Sequence, residues 1–317
     1  MDIVCSIDNN YVQHCCCMLV SFFENNKGEK HSIHLLSDAL TLENRKMIKE
    51  LVEFYQGVFS YYSVDPDKLL SCPIKATDHL TIATYYRLLM VTLLPQELKK
   101  VLYLDCDIVV DGSLKEFWDT SLKGYALAAV DELNTSAKDV YERLEYDEKY
   151  GYFNAGVLLV NLEYWRSNNL TEVFFDYISS HYDKIRAHDQ DVLNALLHDK
   201  CRHVSQKWNV EESFYHYYVI KEWRKRDEKE MKSVLLHPVI LHYSWKPKPW
   251  EKSCRHPFRL KYFFYLSKVD AFSGCKLTFG EKLQAYCDEY YFKLVLRLGI
   301  RGHRFYNCLL YTSPSPR

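Results

Sequence analysis

The chain is 317 residues long, with 48% hydrophobic residues, 26% charged residues and a formal net charge of −1. That length buries a large core, as one big domain or two ordinary ones, and the composition is that of a globular protein. The balanced charge excludes a global attraction to nucleic acid, and no stretch reaches the ~18 apolar residues that a membrane-spanning helix needs.

Asp2 to Ile7 reads as a short strand ending in Asp8-Asn9-Asn10-Tyr11, followed by a helix from Val12 to Phe23. A strand, a polar turn and a helix in succession build a ligand crevice at the carboxyl end of an open α/β sheet. There is no Gly-x-Gly-x-x-Gly and no Gly-x-x-x-x-Gly-Lys, so a bound nucleotide would depend on side chains and a metal. No basic n-region or long apolar segment opens the chain, and the protein is expected to stay on the cytoplasmic side. Cysteine usage agrees with a reducing compartment: the eleven cysteines contain no Cys-x-x-Cys pair. Cys15-Cys16-Cys17 cannot form a zinc ribbon, so the thiols are read as reduced and mostly buried.

His31 to Leu36 is the second strand. Thr41 is placed to cap a helix whose apolar residues Met47, Ile48, Leu51, Val52 and Tyr55 recur at helical spacing, with Gly57 as its stop. Val58 to Val64 is the third strand. Asp78 to Leu94 is expected to be helical up to Pro95, and it carries Arg87 among apolar residues. Such an arginine is either a core-edge side chain reaching water or a buried phosphate clamp.

Lys100 to Asp111 is a branched apolar strand that runs into Asp105 and Asp107. Alternate side chains of an extended backbone share a face, so the two carboxylates would point the same way. Two such anions repel unless a cation lies between them, and hard oxygen ligands suit Mg²⁺ or Mn²⁺ carrying substrate phosphates. A solvated strand end is the alternative, since Asp is common there. Leu114 to Trp118 follows as a short helix, then Tyr125 to Val130 as a strand ending in Asp131. The alternation of strands and helices predicts an α/β fold with a mostly parallel central sheet flanked by helices.

Asn134 to Tyr150 is charged and aperiodic, and is expected to form a mobile flap. Tyr152 to Leu162 is an apolar strand whose Ala155-Gly156 pair marks a close approach to the backbone. A helix from about Thr171 to Ile185 leads to His188-Asp189-Gln190-Asp191, whose acids also suit the first turn of a helix. Glu211 to Lys232 is expected to be a loop with a helix in it. Val239 to Leu241 then forms a strand leading into His242, either a structural strand-end histidine or a third metal ligand. In the second case Mn²⁺ is preferred over Mg²⁺. Lys293, Arg297, Arg301 and Arg304 line one stripe of a C-terminal helix, which suits an anionic membrane surface or an ordinary solvated face. Tyr311 to Arg317 break the pattern and read as a disordered tail or sequence-end artefact.

Taken in order, these stations resemble the family 8 glycosyltransferases, which include bacterial lipopolysaccharide galactosyl- and glucosyltransferases and glycogenin, from Asp2 to about Trp250. The resemblance implies the GT-A nucleotide-diphospho-sugar transferase fold. Residues 1–252 would be the catalytic domain, 253–308 a helical basic and aromatic region able to associate with membrane, and 309–317 the tail. It implies retaining transfer of galactose or glucose from a UDP-sugar, with Mn²⁺ or Mg²⁺, to a saccharide or glycolipid acceptor in cell-surface glycan synthesis. It puts the uridine at Asp8, Asn10 and Tyr11, a donor contact at Arg87, the metal at Asp105, Asp107 and His242, and the diphosphate at Lys248. Donor-sugar hydroxyls fall to Asp131, Asn154 and Asp189, and Gln190 stands beside the anomeric carbon. The chain departs from the family at Trp245, where a small residue is common. Two other classes share features: a non-catalytic UDP-sugar-binding protein, and the phosphatases whose nucleophile opens an Asp-x-Asp. The latter place that motif at the start of the fold, whereas about a hundred residues precede it here.

Overall fold

The computed structural model describes residues 1–73, 81–132, 138–215 and 228–298. Among the described residues ten strands are formed: β1 (Asp2–Ser6), β2 (Ser32–Ser37), β3 (Val58–Ser63), β4 (Lys100–Leu104), β5 (Ile108–Val110), β6 (Leu127–Ala129), β7 (Val157–Asn161), β8 (Cys201–His203), β9 (Val210–Glu211) and β10 (Ile240–His242). Seven make the central sheet in the order β3-β2-β1-β4-β7-β6-β8. Four of its six pairings are parallel, and β7 runs antiparallel to both its neighbours. Helices cover both faces, so the middle strands must be apolar on both sides. Accordingly Ile3 and Cys5 with Leu102 and Leu104 join one buried layer, while Val4 with Val101 and Tyr103 join the other.

A second sheet places β10 between β5, antiparallel to it, and β9, parallel to it. The chain leaves the first sheet at Leu104 and enters the second at Ile108, so Asp105-Cys106-Asp107 is a turn joining two sheets. The sequence predicts a continuous strand here. Long-range pairing breaks it: the Asp105 N–H donates to Gly156 O (2.8 Å), and Tyr243 N–H donates to Asp107 O (3.0 Å). Each aspartate is thereby fastened to a different sheet.

Thr41 caps the helix Leu42–Phe54, its hydroxyl accepting from Asn44 N–H at 3.2 Å. The left-handed residue that ends this helix is Gln56 (φ 60°) rather than Gly57. Gly57 is needed for packing instead, because a Cβ there would lie 2.9 Å from Val52 Cγ1.

The segment predicted as one helix over Asp78–Leu94 is, from Ile82 to Leu89, a 3₁₀ helix that passes into a single α-turn at Met90–Leu93; residues 74–80 lie outside the described part. The three-residue period has a consequence for the site. It stacks Thr84 and Arg87 on one side, where both meet Asp189.

Of the predicted flap, residues 134–137 lie outside the described part, and Lys138–Leu144 forms a helix. That helix is pinned by Arg143, whose guanidinium bonds Asp191 at 2.7 and 3.3 Å, and by a cluster of Val140, Leu144, Tyr146 and Tyr152. The next predicted helix ends earlier than expected, spanning Leu170–Ser180. Beyond Glu212–Tyr215, residues 216–227 are outside the described part, and a helix runs from Glu228 to Leu236.

The C-terminal part adds to the same core. The helix Arg259–Leu266 lies against Val12–Asn25, with Tyr262 OH 2.7 Å from His14 Nδ1 and Tyr265 OH accepting from Asn25 Nδ2 at 2.8 Å. The last helix, Phe279–Leu298, is tied back by Asp288, which accepts two 2.6 Å bonds from Arg255. Of the predicted basic stripe, Lys293 is paired with Glu289 (2.6 Å), and Arg301 and Arg304 lie outside the described residues, as does the segment 311–317. Among the described residues no helix is long and apolar enough to cross a membrane.

Candidate active site

The turn between the two sheets and the end of β10 bring Asp105, Asp107 and His242 together, with one ligand atom from each inside a 4.8 Å span. The β10–β5 register sets His242 opposite Ile108, next to Asp107. His242 Nε2 lies 3.2 Å from Asp107 Oδ1 and 3.9 Å from Asp105 Oδ2. The close approach predicted at Gly156 is made by these groups: a Cβ there would collide with His242 Cε1 and stand 2.7 Å from Asp105 Oδ2.

The outer oxygens of both carboxylates are committed to cations. Lys248 Nζ donates to Asp107 Oδ2 (2.6 Å) and to Tyr243 O. Arg87 Nη2 and Tyr103 OH donate to Asp105 Oδ1 at 2.9 and 3.0 Å. Burial works against the charge on Asp107, but Lys248 and His242 outweigh it and hold the carboxyl well below the usual range. Burial likewise opposes the Arg87 charge and is outweighed by Asp105 and Asp189, so the guanidinium stays protonated. What remains facing inward is Asp105 Oδ2, Asp107 Oδ1 and His242 Nε2. Two anionic oxygens and one imidazole nitrogen form a donor set that suits a divalent cation of the Mn²⁺ kind.

Asp189, at the start of the helix His188–Leu197, accepts from Thr84 Oγ1. Arg87 Nε lies 2.9 Å from its other oxygen, yet that N–H is spent on Thr84 O at 3.1 Å. Asp189 Oδ2 therefore has a charge nearby and no hydrogen-bond donor. Burial raises the pKa of this carboxyl despite Arg87. Gln190 is held at both ends: Oε1 accepts from Ala155 N–H (3.0 Å), and Nε2 donates to Glu132 Oε2 (2.8 Å). Burial pushes the Glu132 carboxyl up in turn. Asn154 Oδ1 accepts from Gly156 N–H at 2.9 Å, and its amide donates to Glu211 Oε2 at 3.2 Å.

Asp131 stands apart. It lies 2.7 Å from His203 Nδ1, and among the described residues no hydrogen bond or ion pair joins it to the other candidate site residues. Asp191, beside Gln190 in sequence, is wholly buried, accepting from Tyr152 OH (2.9 Å) and from the backbone of Arg186 and Ala187 (2.7 Å each) besides Arg143. Thr84, Glu132 and Glu211 give no sequence signal, since their types are common and their partners lie far along the chain.

At the end of β1, Asp8 accepts from Asn10 N–H at 2.8 Å, and the Asn10 side chain is exposed. The neighbouring Asn9 fastens this turn, donating to Ala39 O (2.7 Å) and accepting from Thr41 N–H (3.0 Å). Tyr11 packs edge-on against His14, which stacks on Trp250 at 3.5 Å. Burial lowers the His14 pKa to about 4, so the ring in this stack is neutral. Trp245, at the family's small position, is 57% exposed.

Comparison with known proteins places the chain in a family. The family model described as glycosyl transferase family 8 matches residues 2–254. The chain belongs to that family. Among relatives of this family 8 glycosyl transferase, the lipopolysaccharide 1,2-glucosyltransferase of Escherichia coli is 32% identical over 249 residues, covering 77% of this chain and 71% of that protein. General stress protein A of Bacillus subtilis (strain 168) is 28% identical over 275 residues, covering 84% and 93%. Among solved structures, the galactosyltransferase LgtC in complex with donor and acceptor sugar analogues superposes with a TM-score of 0.77 at 24% identity, over 90% of this chain and all of that one. The fold is thus GT-A, and the family's chemistry is transfer of a sugar from a donor to a saccharide acceptor.

Proposed function

We propose that this family 8 glycosyl transferase moves galactose or glucose from a UDP-sugar, with retained anomeric configuration, to a saccharide or glycolipid acceptor in lipopolysaccharide or other cell-surface glycan synthesis. The observation that carries the reading is the inward trio of Asp105 Oδ2, Asp107 Oδ1 and His242 Nε2, backed by Lys248 and Arg87. These residues would hold Mn²⁺ ahead of Mg²⁺. Such an ion supplies charge stabilisation to the departing diphosphate.

The chain's own groups do the rest. Lys248 adds positive charge at the diphosphate, and Asp8, Asn10 and Tyr11 receive the uridine. Asp189 Oδ2, with no donor of its own, accepts a donor-sugar hydroxyl, and Asn154 and Asp131 serve other hydroxyls. Gln190 stands beside the anomeric carbon, where its amide dipole stabilises an oxocarbenium-like state. Its Oε1 already accepts from Ala155 N–H, and an amide is a weak nucleophile, so a covalent intermediate there is disfavoured. The acceptor hydroxyl attacks on the face the diphosphate leaves, and a diphosphate oxygen takes its proton.

Residues 1–252 are proposed as the catalytic part and 253–308 as its membrane-facing extension on the cytoplasmic side. Leu283, Tyr286, Tyr290, Leu294 and Leu298 are exposed at helical spacing along the last helix, a surface that suits the interface of an anionic bilayer.

The test is transfer from UDP-glucose and UDP-galactose to oligosaccharide acceptors, with the anomeric configuration of the product read by NMR. Mn²⁺-dependent transfer with retention is expected. An inverted product, or UDP binding without turnover, would overturn the reading.

A further inference from the structure

A chain of buried amides reaches the metal triad from behind, and its hydrogen bonds leave one assignment. The Gly156 backbone N–H can only donate, and it donates to Asn154 at 2.9 Å, so the Asn154 oxygen faces it and the amide nitrogen faces Glu211. Asn209 meets that same oxygen at 2.9 Å and must therefore present its NH₂. This turns the Asn209 oxygen toward His242 Nδ1, also at 2.9 Å. An amide oxygen only accepts. Nδ1 therefore carries a proton, and in the neutral ring the Nε2 lone pair faces Asp105 and Asp107.

We infer that Asn209, held by Asn154 and Glu211, is a positioning residue that fixes the His242 tautomer competent to ligate a divalent cation. The inference rests on the metal reading above. Asn209 is closed to water: it is fully buried and its neighbour Glu211 is 1% exposed, so no solvent molecule substitutes for a lost partner. It is also built into the sheet. Glu211 and His242 are register partners across β9 and β10, and Asn209 lies two residues before Glu211 on the same face. The opposite tautomer would direct an N–H at the cation position and block ligation.

Two readouts on the full chain test this. Long-range ¹H–¹⁵N correlation of the metal-free protein in alkaline buffer should show His242 as the Nδ1–H tautomer. Asn209→Leu should lose that signature, whereas Asn209→Asp, which keeps an acceptor toward Nδ1, should retain it. By calorimetry, Asn209→Leu should bind Mn²⁺ roughly 10–100-fold more weakly than the parent chain, the usual cost of losing such a support. An Nε2–H tautomer in the parent chain overturns the inference without any variant, and so does an Asn209→Leu protein that binds Mn²⁺ like the parent. A parent chain that binds no Mn²⁺ while His242 is the Nδ1–H tautomer would instead overturn the metal reading and leave the relay standing.

Discussion

The two ends of the site hold their carboxylates in opposite ways. Around Asp107 the charge is balanced in advance: Lys248 and His242 flank one carboxylate, and Arg87 holds the other. Around Asp189 it is not, since Asp189 Oδ2 is buried without a hydrogen-bond donor and burial pushes this carboxyl up despite Arg87. The difference matches what each end is proposed to receive. A cation and an anionic diphosphate replace existing charge partners at small net electrostatic cost, whereas a neutral sugar supplies a hydroxyl donor to an oxygen that has none. Arg87 couples the two ends, with Nη2 on Asp105 and Nε beside Asp189.

Removing that coupling should have the largest effect. Arg87→Leu leaves two carboxylates without their shared buried cation and is expected to cost about 3–5 kcal/mol in denaturant unfolding. A loss below about 1 kcal/mol would show that the ends are independent.

The second effect separates the ends. Asp189→Asn should lower kcat/KM roughly 10–100-fold, the scale of a charge-assisted hydrogen bond, while Mn²⁺ affinity stays near the parent value. A parallel fall in Mn²⁺ affinity would place Asp189 at the cation end.

A smaller effect concerns the wall of the uridine end. Burial depresses the His14 pKa from 6.5 to about 4 in the folded chain, so the unfolded chain binds the extra proton first as pH falls. Stability from the neutral ring is complete above pH 6.5 and is lost on descending to about pH 4. The loss amounts to roughly 2–3 kcal/mol. His14→Phe should flatten this part of the stability curve, and an unchanged slope would assign the acid sensitivity elsewhere. Smallest is the last helix: Tyr286→Ser with Tyr290→Ser should weaken partitioning onto anionic vesicles several-fold by sedimentation, without changing turnover of a water-soluble acceptor.

Residue types that bear chemistry were legible in the sequence wherever the chemistry is local. Asp105 and Asp107 sit two apart, His242 and Lys248 follow a strand, and the small Gly156 announces a close approach that His242 makes. The path of the backbone between the aspartates was not legible. Its turn depends on Gly156 and Tyr243, whose bonds to it are long-range. Asn209 carries no sequence signal for the same reason: its partners Asn154 and His242 are 55 and 33 residues away. The helix Lys138–Leu144 reads as loop because its apolar positions are few, and what holds it is the Arg143–Asp191 pair across the fold.

The most direct test of the account is UDP release from UDP-glucose and UDP-galactose, with Mn²⁺ and with chelator, by the parent chain and by Asp107→Asn. The account predicts Mn²⁺-dependent release by the parent chain and a loss of about a hundredfold or more in the variant at a temperature where circular dichroism shows it folded. Release by the parent chain that persists in chelator, or a variant as active as the parent, would contradict a cation held between Asp105, Asp107 and His242.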